Sequence, residues 1–529
     1  MASFYITGLS TTPRILIDGD YGYIGVNGAL LVDTTNAIYS GAGTVEVVVD
    51  GRVFNDYIYR SAIWLISYEA SVEIGSLGGV SSAQGSAVDI SAEYRALVTN
   101  AGTVRANGAG IYLSENDGDL YGFITNTGLI DSYNHGIALE LGSGGAKLLN
   151  TGVVQSQMYG IYAGYYGSTA EIEVRNSGVL SGVTGGYFGS SGTDTLINTG
   201  EILGDVYLGL GNDVFDGRGG TVAGSVNGAW GDDLYIIDDG SIVIEEYSAS
   251  DGNDTVESAV SYALGDTIEE LTLIGGENID GEGNALSNRM RGNMGDNRLS
   301  GGDETDYLFG RGGDDVLRGE ADDDYLSANS GHDTLEGGSG NDTLLGGAGA
   351  DHHDGGEGQD RASYYNSQTR GVLADLEDPS RNSWIAAGDS YDSVEDLWGS
   401  EYDDFLYGDA GANEITGDRG ADVLWGRDGN DYINGMWDDD RISGNKGDDT
   451  LRGGLGADTF NFWSDNGADI ITDYTDGSDK IRFIIGGLGF GDLGISQSGA
   501  DAVIDYGSGQ ITLLGVSAAT LDASDFLFV

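Results

Sequence analysis

Gly337-Gly338-Ser339-Gly340-Asn341-Asp342-Thr343-Leu344-Leu345 is followed by Gly346-Gly347-Ala348-Gly349-Ala350-Asp351-His352-His353-Asp354, in the same register. The shared pattern is G-G-x-G-x-D-x-U-x, with U large and apolar. Read outward, it holds through two arrays. The first starts at Gly292 and restarts at Gly301, Gly310, Gly319, Ala328, Gly337, Gly346 and Gly355; the second starts at Gly399 and restarts at Gly408, Gly417, Gly426, Gly435, Gly444 and Gly453. A fixed nine-residue period is the mark of a stacked architecture in which each repeat supplies one turn and one short strand.

The last three positions read as the strand. Leu299, Leu308, Leu317, Leu326, Leu335 and Leu344 recur at the eighth position of the first array; Leu406, Ile415, Leu424, Ile433, Ile442, Leu451 and Phe460 do so in the second. One inward apolar residue per three-residue strand predicts a thin core built by stacking. The first six positions read as the turn: their glycines permit positive φ, and the sixth residue is nearly always Asp. These carboxylates are Asp306, Asp315, Asp324, Asp333, Asp342, Asp351 and Asp360, then Asp404, Asp422, Asp431, Asp440, Asp449 and Asp458. If two repeats make one coil, carboxylates eighteen residues apart lie about 4.8 Å from one another and repel by roughly 3 kcal/mol at an effective dielectric of about 20. So thin a core needs a cation between them. Hard oxygen ligands in a glycine-lined loop favour calcium over magnesium or zinc.

These arrays resemble the RTX (repeats in toxin) proteins. The resemblance implies parallel β-rolls with several calcium ions, held by the sixth-position Asp and by main-chain carbonyls of turns containing Gly301, Gly310, Gly313, Gly337, Gly340, Gly346, Gly349, Gly426, Gly429, Gly444 and Gly447. Asn297 and Asn413 replace the sixth Asp, and Glu304, Asp322, Tyr402 and Asp438 replace the fourth Gly. His353 and Ala362 occupy apolar positions, so individual sites near all of these stay open.

The charge distribution agrees. The 529 residues hold 86 acidic and 23 basic side chains, a net −63, with no cysteine. Residues 1–206 carry 20 acidic and 7 basic, a net −13, which leaves −50 for the rest. Metal ions rather than Lys and Arg are the expected counterions. Nucleic acid does not fit such a surface, and the lack of cysteine suits a secreted bacterial protein that uses no disulfides. No apolar run is long enough to span a membrane, and residues 1–8 lack the basic and apolar regions of a signal peptide. The end, Leu521-Asp522-Ala523-Ser524-Asp525-Phe526-Leu527-Phe528-Val529, looks like the uncleaved type I secretion signal of RTX proteins. The stretch before it, from Gly456 through Asp469-Ile470-Ile471 to Asp479-Lys480-Ile481, is similar to the C-terminal domain of serralysin-type proteases.

Residues 1–206 hold a longer repeat. Short apolar strands begin at Ala37, Ala62, Ala87, Gly110, Gly136, Gly160 and Gly186, spaced 23 to 26 residues apart, the period of a β-solenoid coil. An N-x-G-x-apolar motif falls at Asn100, Asn126, Asn150, Asn176 and Asn198, and stacked Asn side chains can hydrogen-bond along the axis. This part resembles parallel β-helices of bacterial adhesins, autotransporter passengers and polysaccharide-active enzymes. Residues 207–291 read as a strand-rich connector with degenerate nonapeptides at 209–216 and 228–236, residues 292–363 as the first roll, and residues 364–398 as a second connector around Pro379. Residues 399–461 read as the second roll and 462–529 as the C-terminal cap with the secretion signal. The fold class expected is all-β: a parallel solenoid, two calcium rolls and a β cap, in an elongated rod without flexible linkers.

Catalytic constellations are scarce. The four histidines, His135, His332, His352 and His353, form no H-E-x-x-H, which excludes a zinc protease. There is no G-x-S-x-G elbow and no thiol nucleophile. His352 and His353 are expected as exposed turn residues. The enzymatic alternative is a uronate epimerase or lyase on the solenoid, using His135, Lys147, Arg95, Arg105, Arg175 or tyrosines such as Tyr133, Tyr159, Tyr162, Tyr165 and Tyr166; His135 and Tyr159 would face the same side. The expected function is non-enzymatic: a secreted calcium-binding protein, structural, surface-associated or adhesive. Its partners would be calcium, the type I secretion machinery and either itself or a cell-surface polysaccharide. Low cytosolic calcium would leave the rolls unfolded for export, and extracellular calcium of about 10⁻⁴ to 10⁻³ M would fold them from the C-terminal end.

Overall fold

The computed structural model describes every residue except 1–2, 11, 13, 17–20, 26–28, 33–37, 41–42, 56–59, 116–118, 165–167 and 368–369. Ala37, Tyr165 and Tyr166 therefore lie outside the described residues. The chain is all-β, and its helical segments among the described residues are two 3₁₀ turns, Pro379–Arg381 and Phe490–Asp492. It divides into two units, Met1–Glu270 and Leu271–Val529.

The first unit is a parallel β-solenoid. One coil consists of Ile111–Glu115, Tyr121–Asn126 and Leu129–Ser132; the next consists of Ile137–Glu140, Gly145–Asn150 and Val153–Ser156. Ile111 pairs with Ile137, Ile137 with Ile161 and Ile161 with Tyr187, so the spacing read from the sequence is the coil length. Side chains alternate in and out along each strand, and Ile124, Leu148 and Val174 line the core. At the corner after each second strand the inward position is the Asn of the N-x-G motif. Asn100 donates to Asn126 (2.7 Å), Asn126 to Asn150 (2.8 Å), Asn150 to Asn176 (2.7 Å) and Asn176 to Asn198 (2.8 Å), all essentially buried. Each amide finds its partner one coil away, so this polar column is buried without unpaired groups. The coils continue past Val206 in shorter form, with Val206 pairing Val226 and Val226 pairing Ile244.

In the second unit, repeats eighteen residues apart pair in parallel: Leu308 with Leu326 and Leu326 with Leu344, and on the other sheet Leu299 with Leu317 and Leu317 with Leu335. Two nonapeptides thus make one coil, and all six leucines are fully buried. The strands are longer than the three residues expected. Tyr325–Ser330 and Thr334–Ser339 run from position seven of one repeat to position three of the next. Glycine at position one lets the strand face inward a second time without filling the core, and position two bends it with a positive φ, as at Arg311 (+79°), Glu320 (+85°) and Asn329 (+74°).

His353 corrects the expectation of an exposed turn residue: it is fully buried in the leucine column, opposite Leu335 and Tyr391. His352, its strand neighbour, faces the other way and meets Ser390, so the two rings cannot share one metal ion. Between the arrays, Ala362 pairs with Leu397 and Leu397 with Ile415, which carries one inner column onward. A second column starts where Val372–Asp375 pairs with Phe405–Tyr407. The C-terminal cap closes the stack with Phe460 beside Ile481 and Ile481 beside Phe526, next to an antiparallel meander of Gly494–Ser498, Asp501–Asp505 and Gly509–Leu513. Among the described residues, no helix is long and apolar enough to cross a membrane.

Candidate metal centre: the carboxylate ladders

Each sixth-position residue sits where the turn enters its strand. Its backbone N–H donates to the Oδ1 of the Asp two repeats later. In the first array Asp306 donates to Asp324, Asp324 to Asp342 and Asp342 to Asp360, each at 2.8 Å, while Asp315 donates to Asp333 (2.7 Å) and Asp333 to Asp351 (3.0 Å). In the second, Asp404 donates to Asp422, Asp422 to Asp440, Asp440 to Asp458, and Asp431 to Asp449. The ladders run past the residues expected from sequence, to Asp389, Glu395, Asp469 and Asp479. A short cue was present for two of these, Gly467-Ala468-Asp469 and Gly477-Ser478-Asp479, each ahead of an apolar strand.

One oxygen per rung is used by that bond. The other, Oδ2, is buried without a hydrogen-bond partner in Asp306, Asp315, Asp324, Asp333, Asp342, Asp351, Asp360, Asp422, Asp431, Asp440, Asp449, Asp458 and Asp469. Buried oxygens of this kind cost several kcal/mol in sum unless something meets them. Burial pushes the Asp422 carboxyl up to about 9 and those of Asp324 and Asp440 to about 8; one backbone donor each offsets this only in part, and neighbouring rungs raise them further. Asp375 in the connector shows what a protein-supplied counterion looks like: it is fully buried, and Arg381 and Arg427 both bind it. The bare ladder oxygens have no such partner.

The remaining rungs are self-sufficient. Asn297 donates its amide to the Ile279 carbonyl, and Asn413 to that of Glu395 (both 2.7 Å). Asp404 spends both oxygens on Ser400 and Val372. Asn297 and Asp404 open their columns and Asn413 follows Glu395, and all three are neutral or internally hydrogen-bonded.

The glycines divide by job. At position one, a Cβ on Gly301, Gly310, Gly337, Gly346, Gly426 or Gly444 would lie 1.9–2.4 Å from the Oδ2 of the Asp in the same repeat. At position four, Gly313, Gly340, Gly429 and Gly447 have φ between +109° and +141° and sit directly over the preceding coil's turn; Gly349 makes the same close approach, to Gly331. The turn therefore gathers carboxylate and carbonyl oxygens, the donor chemistry that suits a hard cation such as calcium.

Residues 291–326, 327–362, 398–433 and 434–471 match the family model of the RTX calcium-binding nonapeptide repeat, in four copies. The chain carries RTX calcium-binding repeats. Among solved structures, this RTX-repeat chain is similar to the extracellular lipase LipA from Serratia marcescens, at 19% identity over 52% of this chain and 45% of the lipase, with a TM-score of 0.21. It is also similar to the AlgE6R3 subunit of the mannuronan C5-epimerase of Azotobacter vinelandii, at 31% identity over 24% of this chain and 78% of that one, with a TM-score of 0.15. The RTX-repeat chain thus spans less than half of the lipase's length. No curated protein sequence matches it.

On the solenoid, the side chains considered for catalysis are placed as follows. His135 stacks on Tyr162 (centroids 4.4 Å apart) and lies 6.0 Å from Tyr159, so these rings do share a face. Lys147 and Arg175 both bind Glu173, at 2.5 and 2.7 Å. Arg105 pairs with Asp131, and Arg95 lies over the Phe123 ring. Tyr133 stands exposed.

Proposed function

We propose that the chain is a secreted calcium-binding protein whose two arrays fold when calcium enters the turns, and that it serves a structural or adhesive role outside the cell. The observation that carries this reading is the row of buried, unpartnered Oδ2 atoms. Asp306, Asp315, Asp324, Asp333, Asp342, Asp351, Asp360, Asp422, Asp431, Asp440, Asp449 and Asp458 are the proposed ligands, together with turn carbonyls; Asp404, already hydrogen-bonded through both oxygens, is the weakest of the expected set. Without a cation the rungs repel one another and the arrays unfold; bound calcium removes the repulsion and links folding to calcium concentration. Circular dichroism and thermal melting in millimolar calcium and in chelator test this. A large gain of β signal with calcium is expected, and arrays equally folded in chelator would defeat the reading.

Export through a type I machinery remains part of the proposal. Deleting residues 521–529 is expected to retain the protein in cells, whereas normal secretion of the truncated chain would remove that assignment. Because Phe526 also packs against the cap, retention is compared with that of Phe526→Ala in the full-length chain.

A polysaccharide-active site on the solenoid is the second reading. One observation favours it: a groove of about 370 Å³ lined by Asp89, Tyr112, His135, Glu140 and Tyr162, with Asp89 pushed up to about 6 by burial. Against it, Lys147 and Arg175 are engaged by Glu173 rather than free for a uronate carboxylate. Incubation with alginate and pectate, following unsaturated products and uronate epimerisation, separates the readings.

A further inference from the structure

The first strand of each coil in the Met1–Glu270 unit carries a row of aromatic rings on its outer face. Tyr162 is in register with Phe188 and Phe188 with Tyr207, and their ring centroids lie 5.3 and 5.9 Å apart. In the other direction the row passes through Ala138, Tyr112 and Asp89 to Trp64. Between Trp64 and Tyr207 the ring is therefore missing at Asp89 and at Ala138. At the Ala138 rung, His135 from the preceding corner lies over Tyr162 instead, at 4.4 Å. Both ring partners of His135, Tyr159 and Tyr162, belong to the following coil, which leaves its other face toward the preceding coils.

The groove of about 370 Å³ opens where the row is interrupted. One wall takes Ser61, Gln84, Gly108 and Asn134 from four successive corners. Three coil steps of about 4.8 Å make it roughly 14 Å long, running along the solenoid axis. This is a shape for a chain rather than for a compact molecule.

Two carboxylates enter the groove, and the protein holds one oxygen of each through a hydroxyl. Ser61 Oγ donates to Asp89 Oδ2 (2.9 Å), and Tyr112 Oη donates to Glu140 Oε2. Among the described residues, neither Asp89 Oδ1 nor Glu140 Oε1 meets a protein donor. No Lys or Arg lines the groove, and burial holds the His135 imidazole below its usual range. Lys147 and Arg175 line a different groove, on the outer face of the second strand. A uronate would thus bring a third carboxylate to Asp89 and Glu140 with no cation to meet it. A sugar hydroxyl would instead repeat what Ser61 and Tyr112 already do, donating to a carboxylate oxygen.

We propose that this groove binds an uncharged polysaccharide, with one sugar ring against the open face of His135 and its hydroxyls shared between Asp89 and Glu140. The ring face attracts the positively polarised C–H groups of the sugar, and the few polar groups fix its orientation. The proposal rests on the reading of this groove as a polysaccharide site and replaces the uronate of that reading by a neutral sugar.

Calorimetric titration of the full-length chain in calcium tests it. The uncharged probes are cellohexaose, laminarihexaose, maltohexaose, mannohexaose and chitin hexaose; the charged ones are hexamannuronate, hexagalacturonate and glucosamine hexaose. At least one uncharged hexaose is expected to bind. Ala138→Trp, which puts a ring in the vacant rung, and Glu140→Gln are each expected to weaken it at least about tenfold. Tyr68→Ala, which removes an exposed ring outside the groove, is expected to leave the affinity as it was. Should Ala138→Trp fail to fold, Glu140→Gln decides the matter. Binding of the uronates alone overturns this inference and leaves the polysaccharide reading standing, and binding of no probe overturns both. Binding of glucosamine hexaose alone overturns the uncharged class. An uncharged hexaose that binds the parent and both groove variants equally places the contact elsewhere and overturns the site.

Discussion

The N–H of Asp422 donates to Oδ1 of Asp440 at 2.9 Å, while the Oδ2 of each carboxylate is buried without a partner. One bond aligns the coils, and the spare oxygen meets no donor from the protein.

Asp440→Asn is expected to act with opposite sign in the two states. Without calcium and above about pH 9, where burial no longer holds protons on Asp422 and Asp440, it removes a charge between Asp422 and Asp458, each interaction being roughly 3 kcal/mol at an effective dielectric of about 20, and the variant should gain about 1–3 kcal/mol after relaxation. With calcium it loses a ligand and should be less stable than the parent. Denaturant unfolding in calcium and in chelator checks this; the same sign in both would count against a shared ion.

Protons should substitute for calcium. In the folded, calcium-free protein, burial holds protons on Asp422 up to about 9 and on Asp324 and Asp440 up to about 8, against an ordinary 3.8. The folded state therefore binds more protons than the unfolded state between these limits. Its stability is greatest below about pH 4 and declines as pH rises toward about 9. Calcium must displace those protons, so its affinity should rise over the same range. Thermal midpoints between pH 5 and 9, with and without calcium, are the measurement. A calcium-free midpoint that climbed with pH would falsify the assignment of these groups.

Gly340 should tolerate a side chain far less than position 320 does. Gly340 has φ of +141°, and a Cβ there would lie 2.2 Å from the Asp322 carbonyl oxygen, so Gly340→Ala is expected to cost more than about 2 kcal/mol. Glu320, at +85°, already holds a left-handed conformation with a side chain, and Glu320→Gly should be neutral or stabilising by up to about 1 kcal/mol. Equilibrium unfolding in calcium compares the two.

The asparagine column should respond without regard to calcium. Asn150→Ala leaves the Asn126 amide and the Asn176 carbonyl oxygen short of a partner inside the solenoid, at about 1–3 kcal/mol each. Exchange protection of peptides near 126 and 176 should fall equally in calcium and in chelator.

The columns were legible in the sequence because a stacked fold repeats its inward residues at the coil length. Leu308, Leu326 and Leu344, and likewise Asn126, Asn150 and Asn176, announce their own neighbours. What escaped was whatever depends on a neighbouring coil that breaks the period. Asp389, Asp469 and Asp479 prolong the ladders from spacings other than eighteen, and the burial of His353 follows from its place in the leucine column rather than from its residue type. The pairing of Lys147 and Arg175 with Glu173 depends on strand register across coils, which composition does not reveal. The strands exceed three residues because glycine at position one counts as an inward residue with nothing to bury.

Ser400 with Asp404, and Ser190 with Asp194, have a kinetic meaning. A solenoid grows by adding coils to an existing edge, and Asp404, held by Ser400 N–H and Oγ, and Asp194, held by Ser190 N–H and Oγ, each open a carboxylate column on an edge that carries none. Here the opening rung of each of these columns is complete without metal, so it can serve as a nucleus. If later rungs add as ions bind, as proposed above, each column has a built-in direction of assembly, from its opening rung onward.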